Sequence, residues 1–188
     1  MDYIEEEVFE NQDFSTAELP KAEYDNCRFV NCRFANADLS NVVFLECEFD
    51  SCDLSNAKVN HTAFRDVQFK SCKMLGIAFQ DCNKLLLSLG FTNCMLNLSS
   101  FYQLKLKAIR FVNCQLNEVD FAETDLTQAL FTNCDLAGAV FEFTNLEKAD
   151  LSLASNYSIH PESNKIKKAK FSRQDLAGLL QQYDIVIK

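Results

Sequence analysis

The residue types best suited to chemistry in this chain are nine cysteines and two histidines. No two cysteines stand three positions apart as in Cys-x-x-Cys zinc motifs, and in the first half of the chain their spacings are multiples of five. His61 and His160 have no nearby nucleophile and carboxylate in a catalytic arrangement. We therefore expect no catalytic residue, metal site or cofactor, and we interpret the cysteines as small buried core residues.

Carboxylates are the remaining candidates for a functional role. The net charge is −9, and acidic residues concentrate in the first 25 positions and in the segment 118–150, with a mildly basic stretch between them. An acidic surface should avoid nucleic acid and attract basic grooves on other proteins. The alternative is an acidic surface without a particular target. The candidate partner-binding residues are Glu118, Asp120, Glu123, Asp125, Asp135 and Asp150.

The composition predicts a cytoplasmic protein with a sizeable core. The chain has 188 residues, 48% of them hydrophobic, but it has no apolar run long enough to span a membrane. The acidic start, Met1 to Glu7, lacks the basic and apolar regions of a signal peptide. We therefore expect no membrane association and reduced thiols.

The strongest signal in the sequence is a period of five. Large apolar residues recur at every fifth position from Phe9 to Phe79, and the period resumes after a two-residue slip within 83–90. Sixteen of the 17 phenylalanines lie on this lattice, and Phe143 is the exception. A small residue, often cysteine or alanine, stands two positions before each large one. A helix repeats at three or four and a strand at two, so neither explains this pattern.

The repeated motif is Ala or Cys, Asp or Asn, Leu or Phe, then two variable residues. It stands in the chain as Ala37-Asp38-Leu39, Cys52-Asp53-Leu54, Thr124-Asp125-Leu126, Cys134-Asp135-Leu136 and Ala149-Asp150-Leu151. From about residue 7 to 171 the chain resembles the pentapeptide-repeat family. The resemblance implies an all-β solenoid, a right-handed quadrilateral β-helix of about eight coils with four pentapeptides per coil.

Columns of like residues support this coil length, because stacked positions then lie 20 residues apart, or 22 across the slip. One column is aromatic, from Phe9 through Phe29 to Phe131. Another contains Leu86, Leu106, Leu126 and Leu146, and a third is a ladder of six cysteines from Cys32 to Cys134. Like residues on like residues are what a stacked solenoid core should select.

The two ends and the slip interrupt the pattern. We expect an irregular lead-in over 1–8, a bulge at 83–90 and an irregular segment over 152–168, all within a β-helical domain of residues 1–171. Ser172, with Asp175 three residues on, predicts a helix start, and leucines follow at helical spacing. The segment 172–188 is thus predicted to be a helix and tail that either caps the solenoid or forms a dimer.

The C-terminus is similar to that of the quinolone-resistance (Qnr-type) members of the family. That resemblance implies a tail-to-tail homodimer through Leu176, Leu179, Leu180, Tyr183, Ile185 and Ile187. It also implies a non-enzymatic DNA mimic that binds DNA gyrase or topoisomerase IV and protects against quinolones. The alternative hypothesis is a structural or scaffolding module that binds some other protein through a flat face.

Overall fold

The computed structural model describes residues 2–186, which form a right-handed, four-sided β-helix of about eight coils. Short parallel strands on successive coils pair to give two ladders, one of four strands and one of nine. The strands are β1 (Asp2–Glu5), β2 (Val8–Glu10), β3 (Ala22–Asp25), β4 (Arg28–Val30), β5 (Val43–Leu45), β6 (Glu48–Asp50), β7 (Ala63–Arg65), β8 (Val67–Lys70), β9 (Leu89–Thr92), β10 (Arg110–Val112), β11 (Leu130–Asp135), β12 (Asp150–Ser155) and β13 (Lys170–Phe171).

The pairing register confirms the predicted columns. Phe9 pairs with Phe29 and Phe29 with Phe49, at an offset of 20 residues, whereas Phe69 pairs with Phe91 at an offset of 22. The smaller ladder joins β1, β3, β5 and β7, and the larger joins β2, β4, β6 and then β8 to β13 in order.

Each side of the solenoid is named here by its inward-pointing large residues. Face 1 contains Phe9, Phe29, Phe49, Phe69, Phe91, Phe111, Phe131, Leu151 and Phe171; face 2 contains Phe14, Phe34, Leu54, Met74, Leu96, Leu116 and Leu136; face 3 contains Leu19, Leu39, Val59, Phe79, Phe101, Phe121 and Phe141; face 4 contains Ile4, Tyr24, Phe44, Phe64, Leu87, Leu106, Leu126, Leu146 and Ile166.

Aromatic rings fill the core in two geometries. Along face 1 they stack, as for Phe91 and Phe111, whose ring centroids lie 5.3 Å apart with an interplanar angle of 3°. Rings on adjoining faces meet edge to face, as for Phe101 and Phe111 at 5.9 Å and 76°. Both arrangements suit the quadrupole of an aromatic ring, so the column pattern is also an energetic preference.

The small inward residue satisfies a backbone group that would otherwise be buried without a partner. The Thr124 hydroxyl donates to the carbonyl of Phe101 at 2.8 Å, and the Cys52 thiol donates to the carbonyl of Phe29 at 3.2 Å. All nine cysteines are buried free thiols, which confirms their interpretation as core residues. Burial raises the pKa of Cys47 to about 12 and that of Cys82 to about 11, so both thiols are neutral at physiological pH.

The first residues differ from the expected irregular lead-in. Asp2–Glu5 forms strand β1, which pairs in register with β3, and Ile4 packs against the core. The solenoid therefore begins before the first aromatic residue of the lattice. An isoleucine in an acidic context has the same role here as the tyrosine and phenylalanines that follow it on face 4.

The slip places its leucines differently from the sequence prediction. Leu86 was assigned to the core column, but it is 69% exposed and has a φ of 58°. Leu87 packs against the core instead. The Asn83 side chain accepts the N–H of Leu85 at 2.9 Å, and this extra turn pushes Leu85 and Leu86 outward. The insertion is thus a bulge on face 4.

The C-terminal end also differs from the prediction. Within residues 2–186 there is no α-helix; the helical elements are short 3₁₀ turns at Phe79–Asp81, Leu176–Leu179 and Gln181–Tyr183. The buried Gly178 accepts the N–H of Ile159 at 2.9 Å, which fixes this segment against the solenoid end. The segment expected to be irregular begins with β12, whose offset from β11 changes at Leu153 and then returns to 20 residues.

Candidate protein-binding surface

The six acidic residues chosen from the sequence do not form one surface. Asp120 points outward from face 3, and Glu118 and Glu123 lie at the two edges of that face. The other three lie on the other faces: Asp125 on face 4, Asp135 on face 2 and Asp150 on face 1. The chain turns a corner every five residues, so carboxylates that are close in sequence diverge in space.

The three residues away from face 3 are held by local hydrogen bonds. Asp125 accepts the N–H of Thr127 at 3.1 Å, Asp135 accepts that of Ala137 at 3.2 Å, and Asp150 accepts that of Ser152 at 3.1 Å. This contact closes a turn at the acidic position of the motif. Their role in the structure is therefore to order the corners of the coils.

Asp150 shows the electrostatic consequence of this role. The hydroxyl of Ser152 donates to its carboxylate, and the Lys170 ammonium lies 2.9 Å from the same group. These contacts lower the pKa of Asp150, with the serine hydroxyl as the main cause.

Face 3 is the most acidic of the four sides. Its outward positions contain more carboxylates than lysines: Glu18, Asp38, Asp81, Asp120, Glu123 and Glu142 against Lys21 and Lys58, with Glu118 at the border to face 2. Face 1, by contrast, pairs opposite charges between coils, as where the Arg28 guanidinium and the Lys70 ammonium both contact Glu48.

The acidic cluster of face 3 consists of Glu118, Asp120, Glu123 and Glu142 on two successive coils. The hydroxyl of Tyr102 and the amide of Gln103 donate to Glu123 at 3.0 Å and 2.8 Å. The hydrogen bond to Glu123 raises the pKa of Tyr102. Glu118, Glu123 and Glu142 are exposed, so their charges are available to a partner.

An apolar groove adjoins this acidic cluster. It has a volume of about 670 Å³ and lies between face 3 and the C-terminal turns, lined by Val140, Phe143, His160 and Gln181 among others. Phe143 is 72% exposed with a φ of 53°, and Val140 is 40% exposed. Sequence reasoning did not assign Phe143 to a site, although its place off the lattice was the signal that could have identified it.

The predicted dimer residues divide into two groups. Leu179 is half-buried and packs against the core, and Leu180 is also half-buried. Leu176, Tyr183 and Ile185 are 45%, 47% and 56% exposed. Ile187 lies outside the described residues. The C-terminal turns therefore close the solenoid and also leave apolar side chains at the surface.

Two searches for other kinds of site gave no candidates. Within residues 2–186, no cluster of His, Cys, Asp and Glu side chains is arranged to hold a metal ion. Over the same range, no helix has the length and apolar character needed to cross a membrane.

Solved structures with related architecture were found by comparison. A trypsin-treated variant of QnrB1, described as a plasmid-mediated fluoroquinolone resistance protein, is 20% identical over 99% of this chain and 100% of its own, with a TM-score of 0.49. Full-length QnrB1 is 19% identical over 97% and 100%, with a TM-score of 0.48. HetL, a pentapeptide repeat protein from the cyanobacterium Nostoc sp. strain PCC 7120, is 17% identical over 91% and 85%, with a TM-score of 0.34.

Among curated proteins, none matches the chain significantly. The sequence profile of the pentapeptide repeat region matches residues 42–111 and 84–179, which together cover well over half of the chain. The matched residues are those that build the stacked coils of faces 1 to 4. The chain therefore belongs to the pentapeptide repeat family.

Proposed function

We propose that this chain is a non-enzymatic binding protein whose partner is a type II topoisomerase, DNA gyrase or topoisomerase IV. The observation that carries the proposal is the acidic cluster of face 3, in which Glu118, Asp120, Glu123 and Glu142 adjoin the exposed Phe143. A basic groove that normally holds DNA would attract such a surface. QnrB1 is described as a fluoroquinolone resistance protein, and the corresponding activity here would be protection of the enzyme from quinolones.

The interior of the solenoid supports a binding role over a catalytic one. The large inward residues of faces 1 to 4 fill the space that a buried substrate would need. Recognition would therefore use the outer faces, where an exposed aromatic side chain among charged groups is a common source of binding energy. Such a mode calls for a protein partner and for no direct contact with nucleic acid.

We further propose that the chain forms a homodimer through its C-terminus. The exposed side chains of Leu176, Tyr183 and Ile185 support this, because a turn that only closed the solenoid would not need to present them to solvent. We propose the cytoplasm as the compartment, since type II topoisomerases act on DNA there.

The experiment that tests the topoisomerase proposal is a gyrase supercoiling assay with purified protein, with and without a quinolone. At about micromolar protein, a typical range for specific association, we expect either inhibition of supercoiling or relief from the drug. The absence of any effect at tens of micromolar folded protein would overturn the proposed partner.

A matched pair of variants locates the surface. Glu118→Lys, Glu123→Lys and Glu142→Lys combined reverse three charges of the cluster without touching Asp120, whose carboxylate accepts the N–H of Ala122 at 2.8 Å. The control combines Glu7→Lys, Glu10→Lys and Asp50→Lys, an equal change of charge away from face 3. We expect loss of gyrase binding only in the first variant, and equal binding by both would exclude face 3.

A scaffolding role is the second candidate, and the alternating charges of faces 1 and 2 favour it. Face 2 presents Asp13, Arg33, Asp53 and Lys73 on successive coils, a mixed surface unlike that of DNA. Pull-down with the charge-reversed face 3 variant as bait would distinguish the two. A scaffold that binds through face 1 or 2 would retain its partner.

A further inference from the structure

Face 4 separates its charges into two halves. Its N-terminal coils present six carboxylates, here named the acidic half, and its C-terminal coils present six lysines, here named the basic half. The acidic half contains Glu5, Glu6, Glu23, Asp25, Glu46 and Asp66, and the basic half contains Lys105, Lys107, Lys148, Lys165, Lys167 and Lys168. The exceptions are Arg65 in the first half and Asp125 and Glu147 in the second.

Few of these charges have partners within the chain. Of the ion pairs within residues 2–186, only that between Lys107 and Asp125, at 3.5 Å, involves face 4. Asp25 and Asp66 accept hydrogen bonds from the hydroxyls of Tyr3 and Ser88. Face 1 pairs its charges between neighbouring coils, whereas face 4 keeps opposite charges at opposite ends.

The boundary between the two halves is apolar and central. Face 4 has nine inward residues from Ile4 to Ile166, and the fifth is Leu87. Beside it the bulge exposes Leu85 at 65% and Leu86 at 69%. The exposed leucine pair therefore lies at the midpoint of the face, with the acidic half on one side and the basic half on the other.

We propose that face 4 is a self-association surface on which a second copy of this chain packs antiparallel. A two-fold axis through the bulge would set each acidic half against the partner's basic half, with Glu5 and Glu6 opposite the lysines around Lys167. The two leucine bulges would meet at the axis. Such an interface is isologous, because the same patch serves both copies.

The charge pattern selects this occupant over others. A separate anionic partner would use only the basic half and would be repelled by the acidic half. A parallel pair of chains would place like charges together along the whole face. Only an antiparallel copy matches both halves and the apolar centre at once.

The dimensions of the face predict a weak, salt-dependent dimer. Nine rungs about 4.8 Å apart give a length of about 40 Å, and the outward residues span about 10 Å. Two such faces bury on the order of 800 Å², the size class of transient complexes. Attraction between exposed charges falls as salt shortens the Debye length, so association should decrease with ionic strength.

The first test is sedimentation velocity of the full chain at about 0.01 M and about 1 M salt, where the Debye length is about 30 Å and about 3 Å. We expect the association state to drop by one dimerisation step at high salt. This step is independent of the C-terminal dimer and of any topoisomerase partner, because it uses none of their residues. An unchanged mass between the two conditions would overturn the inference.

Charge exchange provides the decisive test. One variant combines Glu5→Lys and Glu6→Lys, and the other combines Lys165→Glu, Lys167→Glu and Lys168→Glu. In each variant alone, both ends of the antiparallel pair repel, so we expect loss of the low-salt dimer. Mixed in equal amounts they attract at both ends, so we expect a heterodimer. Two variants that stay apart when mixed would contradict the antiparallel arrangement.

Two further variants separate this surface from general effects. Lys21→Glu, Lys58→Glu and Arg110→Glu combined match the charge change of the lysine variant on faces 1 and 3, and should leave the dimer intact. Leu85→Asn and Leu86→Asn combined should weaken the dimer without removing its salt dependence. Loss of the dimer in the first control would mean that net charge, and not face 4, determines association.

Discussion

At the scale of single residues, the pentapeptide depends on a left-handed backbone conformation at its last outward position. Asparagine occupies ten of these positive-φ positions, including Asn93, Asn113 and Asn133. These three form a ladder, because each amide nitrogen donates to the amide oxygen of the preceding coil at 3.0 Å and 3.1 Å. Asparagine tolerates this conformation better than other residues with a Cβ atom.

Leucine at such a position should be a source of strain. Leu98 has a φ of 64° and is 61% exposed, so it bears the conformational cost and buries little. We expect Leu98→Asn to raise the free energy of unfolding by about 1 kcal/mol, measured by urea denaturation. Met95→Asn, on the same face without a positive φ, is the control and should not stabilise. An equal effect of both substitutions would refute the conformational explanation.

Asp150 should contribute to the acid sensitivity of the fold. Its pKa is lowered in the folded state, so its stabilising effect is present above the unfolded pKa of about 3.9 and is lost as pH falls through the folded value. Asp150→Asn keeps an acceptor for the N–H of Ser152 but loses the charge next to Lys170. The variant should therefore lose less stability than the parent chain between about pH 6 and about pH 3. Identical pH profiles in urea titrations would contradict this role.

At the scale of elements, the C-terminal turns close the solenoid through a close backbone contact. A Cβ atom on Gly178 would lie 2.1 Å from the carbonyl oxygen of Tyr157, so no other residue fits there. The hydroxyl of Tyr183 also donates to Glu162 at 3.0 Å across the end of the molecule. The packed turns thus shield the last coil.

Gly178→Ala should therefore detach the C-terminal turns. We expect faster amide hydrogen exchange at Ile159, whose N–H donates to Gly178, and a loss of stability of about 1–3 kcal/mol. Ala177→Ser, at the exposed neighbouring position, serves as the control and should leave exchange unchanged. Protection of Ile159 in the Gly178 variant equal to that of the parent would show that the contact can relax.

The elements that sequence could predict are those fixed by side-chain type at a constant spacing. The aromatic columns and the cysteine ladder followed from period five, and the structure confirms both. The exposed Leu86 and the buried Leu87 could not be distinguished, because both are leucines and the choice depends on the turn closed by Asn83. The α-helix prediction after Ser172 was wrong because tertiary contacts at Gly178 override local helical spacing.

The candidate site was less predictable than the fold. Charge counted along the chain identified Glu118, Asp120 and Glu123, which the structure brings to face 3. It also selected Asp125, Asp135 and Asp150, whose positions in the motif serve turn formation. Assigning each carboxylate to a face requires the coil register, and a linear segment of sequence spans several faces.

At the scale of the whole molecule, the solenoid is close to one-dimensional, because each coil contacts only its neighbours. A central residue has a coil on either side: Phe111 stacks on Phe91 at 5.3 Å and on Phe131 at 5.2 Å. A terminal residue has only one: Phe9 stacks on Phe29 at 4.8 Å and is half-buried. Stability should therefore be a sum of coil terms and of interfaces between nearest neighbours.

This arrangement predicts that the same truncation has different effects at different coils. Phe111→Ala should lower the free energy of unfolding by about 3–5 kcal/mol, because it leaves a cavity between two fixed coils. Phe9→Ala should cost roughly half as much, since the end coil can fray or relax around the gap. Urea denaturation gives both values, and hydrogen exchange gives their spatial extent. The Phe9 variant should lose protection only in the first coils, whereas the Phe111 variant should lose it on both sides of the cavity. Equal losses of stability would mean that the solenoid unfolds as a single unit whose ends are as firmly held as its centre.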